Sequence, residues 1–141
     1  MHGPDWVGYF SNFLLLAAAF LIALPIGWER RHDSRTVGLR TMPLVAVASC
    51  GYMLIAVEIV GPYAEPLARV MHGLMTGIGF IGGGAILKSG GAVHGTATAA
   101  SIWTMGGIGM AVAFKRFEIA FSLLLLNFLI LHTISRPKQE A

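Results

Sequence analysis

Residues 77–91 read "GIGFIGGGAILKSGG", seven glycines in fifteen positions, and the fold turns on why so little side chain is wanted there. The first six letters satisfy G-x-G-x-x-G. That pattern cradles a dinucleotide where a buried strand runs into a helix and an acidic residue about 20 positions later holds the ribose. Here the lead-in "ARVMHGLMT" (68–76) does not read as a buried strand, and no Asp or Glu occurs between Glu65 and Glu118. No Gly-Lys-Ser/Thr occurs either, so the stretch is not a P-loop. The remaining reason for glycine is close helix packing in lipid, where small side chains let backbones approach and gain dispersion contacts.

The rest of the chain supports lipid as the solvent. Of 141 residues, 55% are hydrophobic and only 12% charged, more apolar surface than one small soluble core can hide. Five apolar stretches stand out, at about 10–28, 42–60, 71–87, 97–114 and 119–134. At about 1.5 Å per residue each measures about 24 to 29 Å, close to the hydrocarbon thickness of a bilayer. The expectation is an all-α integral membrane protein, a bundle of about five transmembrane helices forming one domain over 1–141, with no soluble C-terminal domain. The nine residues before the first stretch carry no Lys or Arg, so it reads as a retained helix rather than a signal peptide. Pro25 sits in its last two turns.

Charge sets orientation. With the N-terminus outside, the inner flanks hold Arg30, Arg31, Arg35, Arg40, Lys88, Arg136 and Lys138, and the outer ones only Arg69, Lys115 and Arg116. The positive-inside rule therefore places the N-terminus outside and the C-terminus in the cytoplasm. The net charge of +3 is too small and scattered for nucleic acid. The single cysteine, Cys50, excludes an internal disulfide or a Cys-rich zinc site.

Gly73 and Gly77 make one G-x-x-x-G step and Gly79 and Gly83 another. On the fourth segment Ala100, Thr104, Gly107 and Ala111 fall on one stripe, so the third and fourth helices are expected to pack tightly on these surfaces. The alternative use of Gly82, Gly83 and Gly84 is a helix break at membrane depth that turns carbonyls into a cavity. At the cytoplasmic side, Glu29 and Arg30 end the first helix, Arg40 and Thr41 open the second, and Glu29 is placed to pair with Arg40 across the hairpin. That cap would face Lys88, at the end of the third helix. Glu58, Glu65 and His72 are weak candidates for a divalent cation, since magnesium prefers oxygen ligands and keeps much of its water. Asn127 and His132 are suited to interhelical hydrogen bonds. No central third of a span carries an ionisable group, which disfavours active transport. No Ser-His-Asp, paired-carboxylate or H-E-x-x-H constellation points to an enzyme, and no cofactor is expected.

The segments "LLAAAFLIALPIGWERRHDSRTVGLRTMPLVA" (15–46) and "GIGFIGGGAILKSGGAVHGTATAASIWTMGGIG" (77–109) resemble the MgtC/SapB family of bacterial inner-membrane proteins. The resemblance extends over about 13–130, and "IGWER", "GLRT" and "GIGFIGGG" in that order are specific to it. It implies a five-helix membrane domain and a part in magnesium homeostasis, low-magnesium adaptation and survival in macrophages. Action on another membrane complex, such as the F-type ATP synthase, is implied by one type of member. The alternative is a magnesium or other cation transporter or channel subunit with a pore near the Gly-rich third helix. Where the family has a basic residue, Gly, Leu, then Thr or Asn before Ala-Ala, this chain has "HGTATAA", with His94 and with Ala97 in the polar position. Any polar contact made there passes to Thr96 or Thr98. A homo-oligomer, taken as a dimer, is expected from the surplus of small-residue surface.

Overall fold

The computed structural model describes residues 5–30 and 38–134. The chain is all-α but for one short hairpin: α1 (Trp6–Arg30), α2 (Thr41–Val60), α3 (Ala64–Gly84), β1 (Leu87–Ser89), β2 (Ala92–His94), α4 (Thr96–Ala113) and α5 (Phe117–Thr133). By length and composition α1 and α2 can cross a membrane, and α5 is a shorter apolar helix. Burial has the character of a membrane bundle. The fully buried set is dominated by small or unbranched residues such as Ala19, Ala23, Ala46, Cys50, Met53 and Met105, while Phe10, Phe13, Phe80, Leu125 and Ile130 point outward. Phe80 is 84% exposed. Water would penalise that inversion; lipid does not.

α4 forms the axis. It packs against α1, α2, α3 and α5, and the sequence of neighbours around it is α3, α2, α1, α5. α3 and α5 are the ends of that series, α3 packing on α2 and α4, and α5 on α1 and α4. The closest approach is between α4 and α2, where a Cβ on Gly109 would lie 2.2 Å from the Ala46 carbonyl oxygen and 2.8 Å from Ser49 Cβ. Glycine lets the two backbones meet there, the dispersion-driven contact that substitutes for hydrophobic collapse in lipid.

Boundaries differ from the sequence reading at both ends of α3, and α1 starts at Trp6 rather than about Phe10. α3 starts at Ala64, not about Met71, because Pro66 sits in its first turn, where a missing N–H costs nothing. Glu65 there complements the helix dipole and pairs with Arg69 one turn on, at 2.7 Å. At the other end α3 stops at Gly84, not Leu87. Ile86 and Leu87 instead lead into a hairpin that hydrophobicity alone did not reveal, with Leu87 opposite His94 and Lys88 opposite Val93. Its two-residue loop is Gly90-Gly91, with φ of +61° and +84°, the left-handed pair that a type I′ turn requires. Between α4 and α5, Arg116 N–H donates to Ala111 O at 2.8 Å and Lys115 N–H to Val112 O at 2.9 Å. This is a Schellman closure with Lys115, φ +57°, where glycine is usual. Of the cytoplasmic-side cations expected above, Arg31, Arg35, Arg136 and Lys138 lie outside the described residues.

Candidate functional site

Side-chain hydroxyls are the starting point for the site, because each must find a partner away from water. Six of them bond the carbonyl one turn back in their own helix: Ser49 to Val45, Thr76 to His72, Ser101 to Ala97, Thr104 to Ala100, Ser122 to Glu118 and Thr133 to Leu129, at 2.6 to 3.0 Å. Thr98 has no such option. Its residue four back is His94, in β2 and outside the helix. Thr98 is wholly buried, and its Oγ1 has no hydrogen-bond partner among the described residues.

One turn along α4, Ser101 Oγ also lies 3.2 Å from Asn127 Oδ1 on α5, while Asn127 Nδ2 is buried without a partner. Further along α5, His132 Nδ1 is 3.4 Å from Glu29 Oε1, and the imidazole stacks on Phe128 with centroids 5.8 Å apart. Two polar pairs thus tie α5 to the rest of the bundle, Ser101 with Asn127 and Glu29 with His132, and Thr98 lies one turn before Ser101 on α4. Arg30, also largely buried, closes α1 with a positive charge that suits a helix C-terminus. Expectation and structure part here: Glu29 faces His132, not Arg40. Arg40 is exposed at the N-cap of α2 and makes no side-chain cap. Sequence spacing pointed to the polar character of Asn127 and His132; it had no means of pairing them with Ser101, 26 residues away, and Glu29, 103 residues away.

The glycines divide into two groups. Gly82 is buried, its Cβ position 3.1 Å from Ala99 O on α4, whereas Gly73, Gly77, Gly79, Gly83 and Gly84 have nothing within 4 Å. The expected α3–α4 seam along these glycines is therefore not the seam observed. α3 meets α4 through Gly82 against Ala99 and through Ile78 against Gly106. Gly106 and Gly109, the closest-packed helical glycines, went unnoticed because they fall off the chosen stripe. On that stripe Ala111 is buried and Ala100 exposed, while Thr104 and Gly107 line a small cleft of about 150 Å³ with Met75 and Leu123. At 100° per residue, Gly79 and Gly83 lie on the side of α3 away from Gly73 and Gly77. The latter pair borders a groove of about 540 Å³ between α2 and α3.

At Gly82 to Gly84 the helix ends rather than opening onto a cavity: α3 stops at Gly84, and the carbonyls of Gly82 and Gly83 accept from Ala85 N–H and Ile86 N–H at 3.0 and 3.1 Å. Lys88, His94 and Thr96 are exposed around the hairpin, so Lys88 does not end a helix. Gly95, between them, has φ +86°, and a Cβ would lie 2.1 Å from Ala85 O. Both facts require glycine in "HGT". The cation candidates are not brought together: Glu65 is engaged by Arg69, His72 lies two turns further on, and no group of three His, Cys, Asp or Glu side chains forms among the described residues.

Comparison with known proteins places this geometry. A family model described as the MgtC family matches residues 16–139. Similar curated proteins include MgtC of Salmonella typhimurium, 34% identical over 113 residues (80% of this chain, 48% of the relative), and MgtC of Brucella abortus, 40% identical over 95 residues (67% and 39%). An uncharacterised protein of Haemophilus influenzae is 34% identical over 120 residues (79% and 49%). The chain thus spans about half the length, or less, of the curated relatives it matches. No solved structure matches it.

Proposed function

The chain belongs to the MgtC family, and from that premise we propose that it serves magnesium homeostasis in the bacterial inner membrane by docking against another integral membrane complex. Its N-terminus is then outside and its C-terminus in the cytoplasm, as the charge count requires. The reading rests on one observation: Gly79 and Gly83 form an open small-residue step on the outward side of α3, with nothing among the described residues within 4 Å of either Cβ position. In lipid such a face is what a second helix needs for close approach. The F-type ATP synthase, implied by the resemblance, is the first partner to try.

Autonomous ion movement has less support. α4 fills the axis that a pore would use, and the buried polar groups among the described residues are the hydroxyls of Ser49, Thr98 and Ser101, Arg30 and the Nδ2 of Asn127. A passive path lined by backbone carbonyls also lacks the freed carbonyls of Gly82 and Gly83.

The test is paired. Purified protein in liposomes is expected to give no saturable magnesium flux, while the same protein drawn from native membranes retains a partner that Gly83→Leu releases. Saturable flux overturns the reading. A homodimer on this face would compete with the partner, and would appear as a disulfide-linked pair from Gly83→Cys in vesicles holding this protein alone.

A further inference from the structure

The start of α3 at Ala64, rather than about Met71, changes the surroundings of one side chain. His72 no longer opens the span but stands inside a helix of 21 residues, about 12 Å from one end and about 18 Å from the other. It falls in the central third, where the sequence reading placed no ionisable group. Groups of this kind almost always face a bundle interior or a water-filled cavity, because an unpaired polar group in hydrocarbon is costly. His72 does neither. It is exposed on the outside of the bundle, it lines neither the α2–α3 groove nor the small cleft, and its imidazole has no hydrogen-bond or ion-pair partner among the described residues. The interior that it requires is one that a further chain completes.

At 100° per residue, His72, Thr76, Gly79 and Gly83 share an arc of about 60° on α3, and all four are exposed. The docking face thus extends two turns toward the helix start and gains polar groups. Its spacing of four, three and four is that of a left-handed helix seam. The two polar members complement each other. A neutral imidazole offers one N–H donor and one acceptor nitrogen, and a hydroxyl one donor and two lone pairs. Thr76 already donates its proton to His72 O, one turn back in its own helix, at 2.9 Å, which leaves the oxygen an acceptor only. Within one chain the imidazole stays unbonded; across two parallel copies the donor of each meets the acceptor of the other.

From an unpaired imidazole at mid-membrane depth and an acceptor hydroxyl one turn away on the same seam, we infer that α3 pairs with α3 of a second copy about a two-fold axis. The His72 N–H of each chain donates to Thr76 Oγ1 of the other, and Gly79 and Gly83 meet their own counterparts, where the Cβ positions are free. An isologous contact needs a surface that complements itself, and this one has small residues against small residues and one donor against one acceptor. Histidine and threonine are among the side chains that bond across helices in lipid. The inference rests on the reading of this face as a docking surface and adds its regulation: the second copy covers the face until a partner complex displaces it.

The experiment is energy transfer between donor-labelled and acceptor-labelled copies of the full chain, purified and diluted with lipid in phosphatidylcholine vesicles. The wild-type protein pairs with a defined midpoint. His72→Ala and Thr76→Val each raise that midpoint about tenfold, the scale of two interhelical hydrogen bonds in lipid, and the double variant raises it no further, since either substitution removes both bonds. Thr76→Ser keeps the acceptor and pairs as wild type. Both side chains are exposed, so the melting temperature in detergent stays within a few degrees and loss of pairing is not loss of fold. A wild-type chain that is monomeric at every dilution overturns the inference. So do His72→Ala and Thr76→Val variants that pair as tightly as wild type, which would leave pairing to the glycines alone. The docking reading is tested in native membranes and the self-pair in vesicles of the purified chain, so either fails without the other.

Discussion

Glycine does opposite things in α3 and in α4. In α4, Gly109 lies so close to α2 that a single added carbon would sit 2.2 Å from a backbone oxygen; in α3, Gly73, Gly77, Gly79 and Gly83 have empty space where that carbon would go. Residue type is the same in the two helices. The difference lies in what stands opposite: α4 has neighbours on most sides, whereas α3 packs chiefly on α2 and α4 and keeps an outward face to itself. A small-residue step therefore records that close approach is permitted, and only the three-dimensional neighbourhood tells whether the approaching surface belongs to the same chain.

The contrast is sharpest at Gly109. Gly109→Leu is expected to abolish the folded bundle, and Gly109→Ala to cost about 3 kcal/mol, the upper part of the range for overpacking, read as a lowered midpoint in denaturing detergent. Gly77→Ala should do the reverse, raising the midpoint slightly because alanine is the better helix former by up to about 1 kcal/mol. If both substitutions shift the midpoint by the same amount and sign, the distinction between the two helices is broken. Gly95→Ala follows, at about 2 kcal/mol, since it combines left-handed strain with collision against Ala85 O.

Next comes Thr98→Val. Because the buried hydroxyl has no partner, its replacement by an isosteric methyl should stabilise the fold by about 1 kcal/mol; a loss instead would mean that a water or ligand occupies that position. Lys115→Gly should stabilise by about 1 kcal/mol by relieving the left-handed residue in the Schellman closure. The smallest effect concerns Glu118, fully exposed beside that turn, whose hydrogen bond from the Arg116 guanidinium holds its carboxyl below the usual carboxylate value. A folded-state pKa that is depressed contributes stability above the unfolded value and loses it as pH falls through the folded one. Arg116→Gln should return Glu118 to the ordinary carboxylate range in an NMR titration, with little change in stability near neutrality.

Much of the architecture was legible because lipid leaves a coarse signal: long apolar stretches separated by short polar ones identify a helical bundle. What escaped was finer. The α3 start was hidden by Pro66 and Glu65, residues that look like loop formers and are also well suited to a helix's first turn. The hairpin was hidden because Ile86 and Leu87 continue an apolar run that periodicity cannot divide. Glu29 was matched to Arg40 across the α1–α2 hairpin, while its contact comes from His132 on α5, about a hundred residues away. The two groups of α3 glycines were legible as small-residue steps, yet which of them faces a groove and which faces outward needed the positions of α2 and α4.

The axial position of α4 bears on biogenesis. In a chain made from its N-terminus, α1 and α2 leave the ribosome well before α4 exists, so the Ala46, Ser49 and Cys50 surface that Gly109 covers stands vacant during synthesis. An insertase or surrounding lipids must shelter that vacancy until the fourth helix arrives. Truncation before residue 96 should therefore leave a nascent chain that membrane quality-control proteases recognise, however apolar its remaining helices.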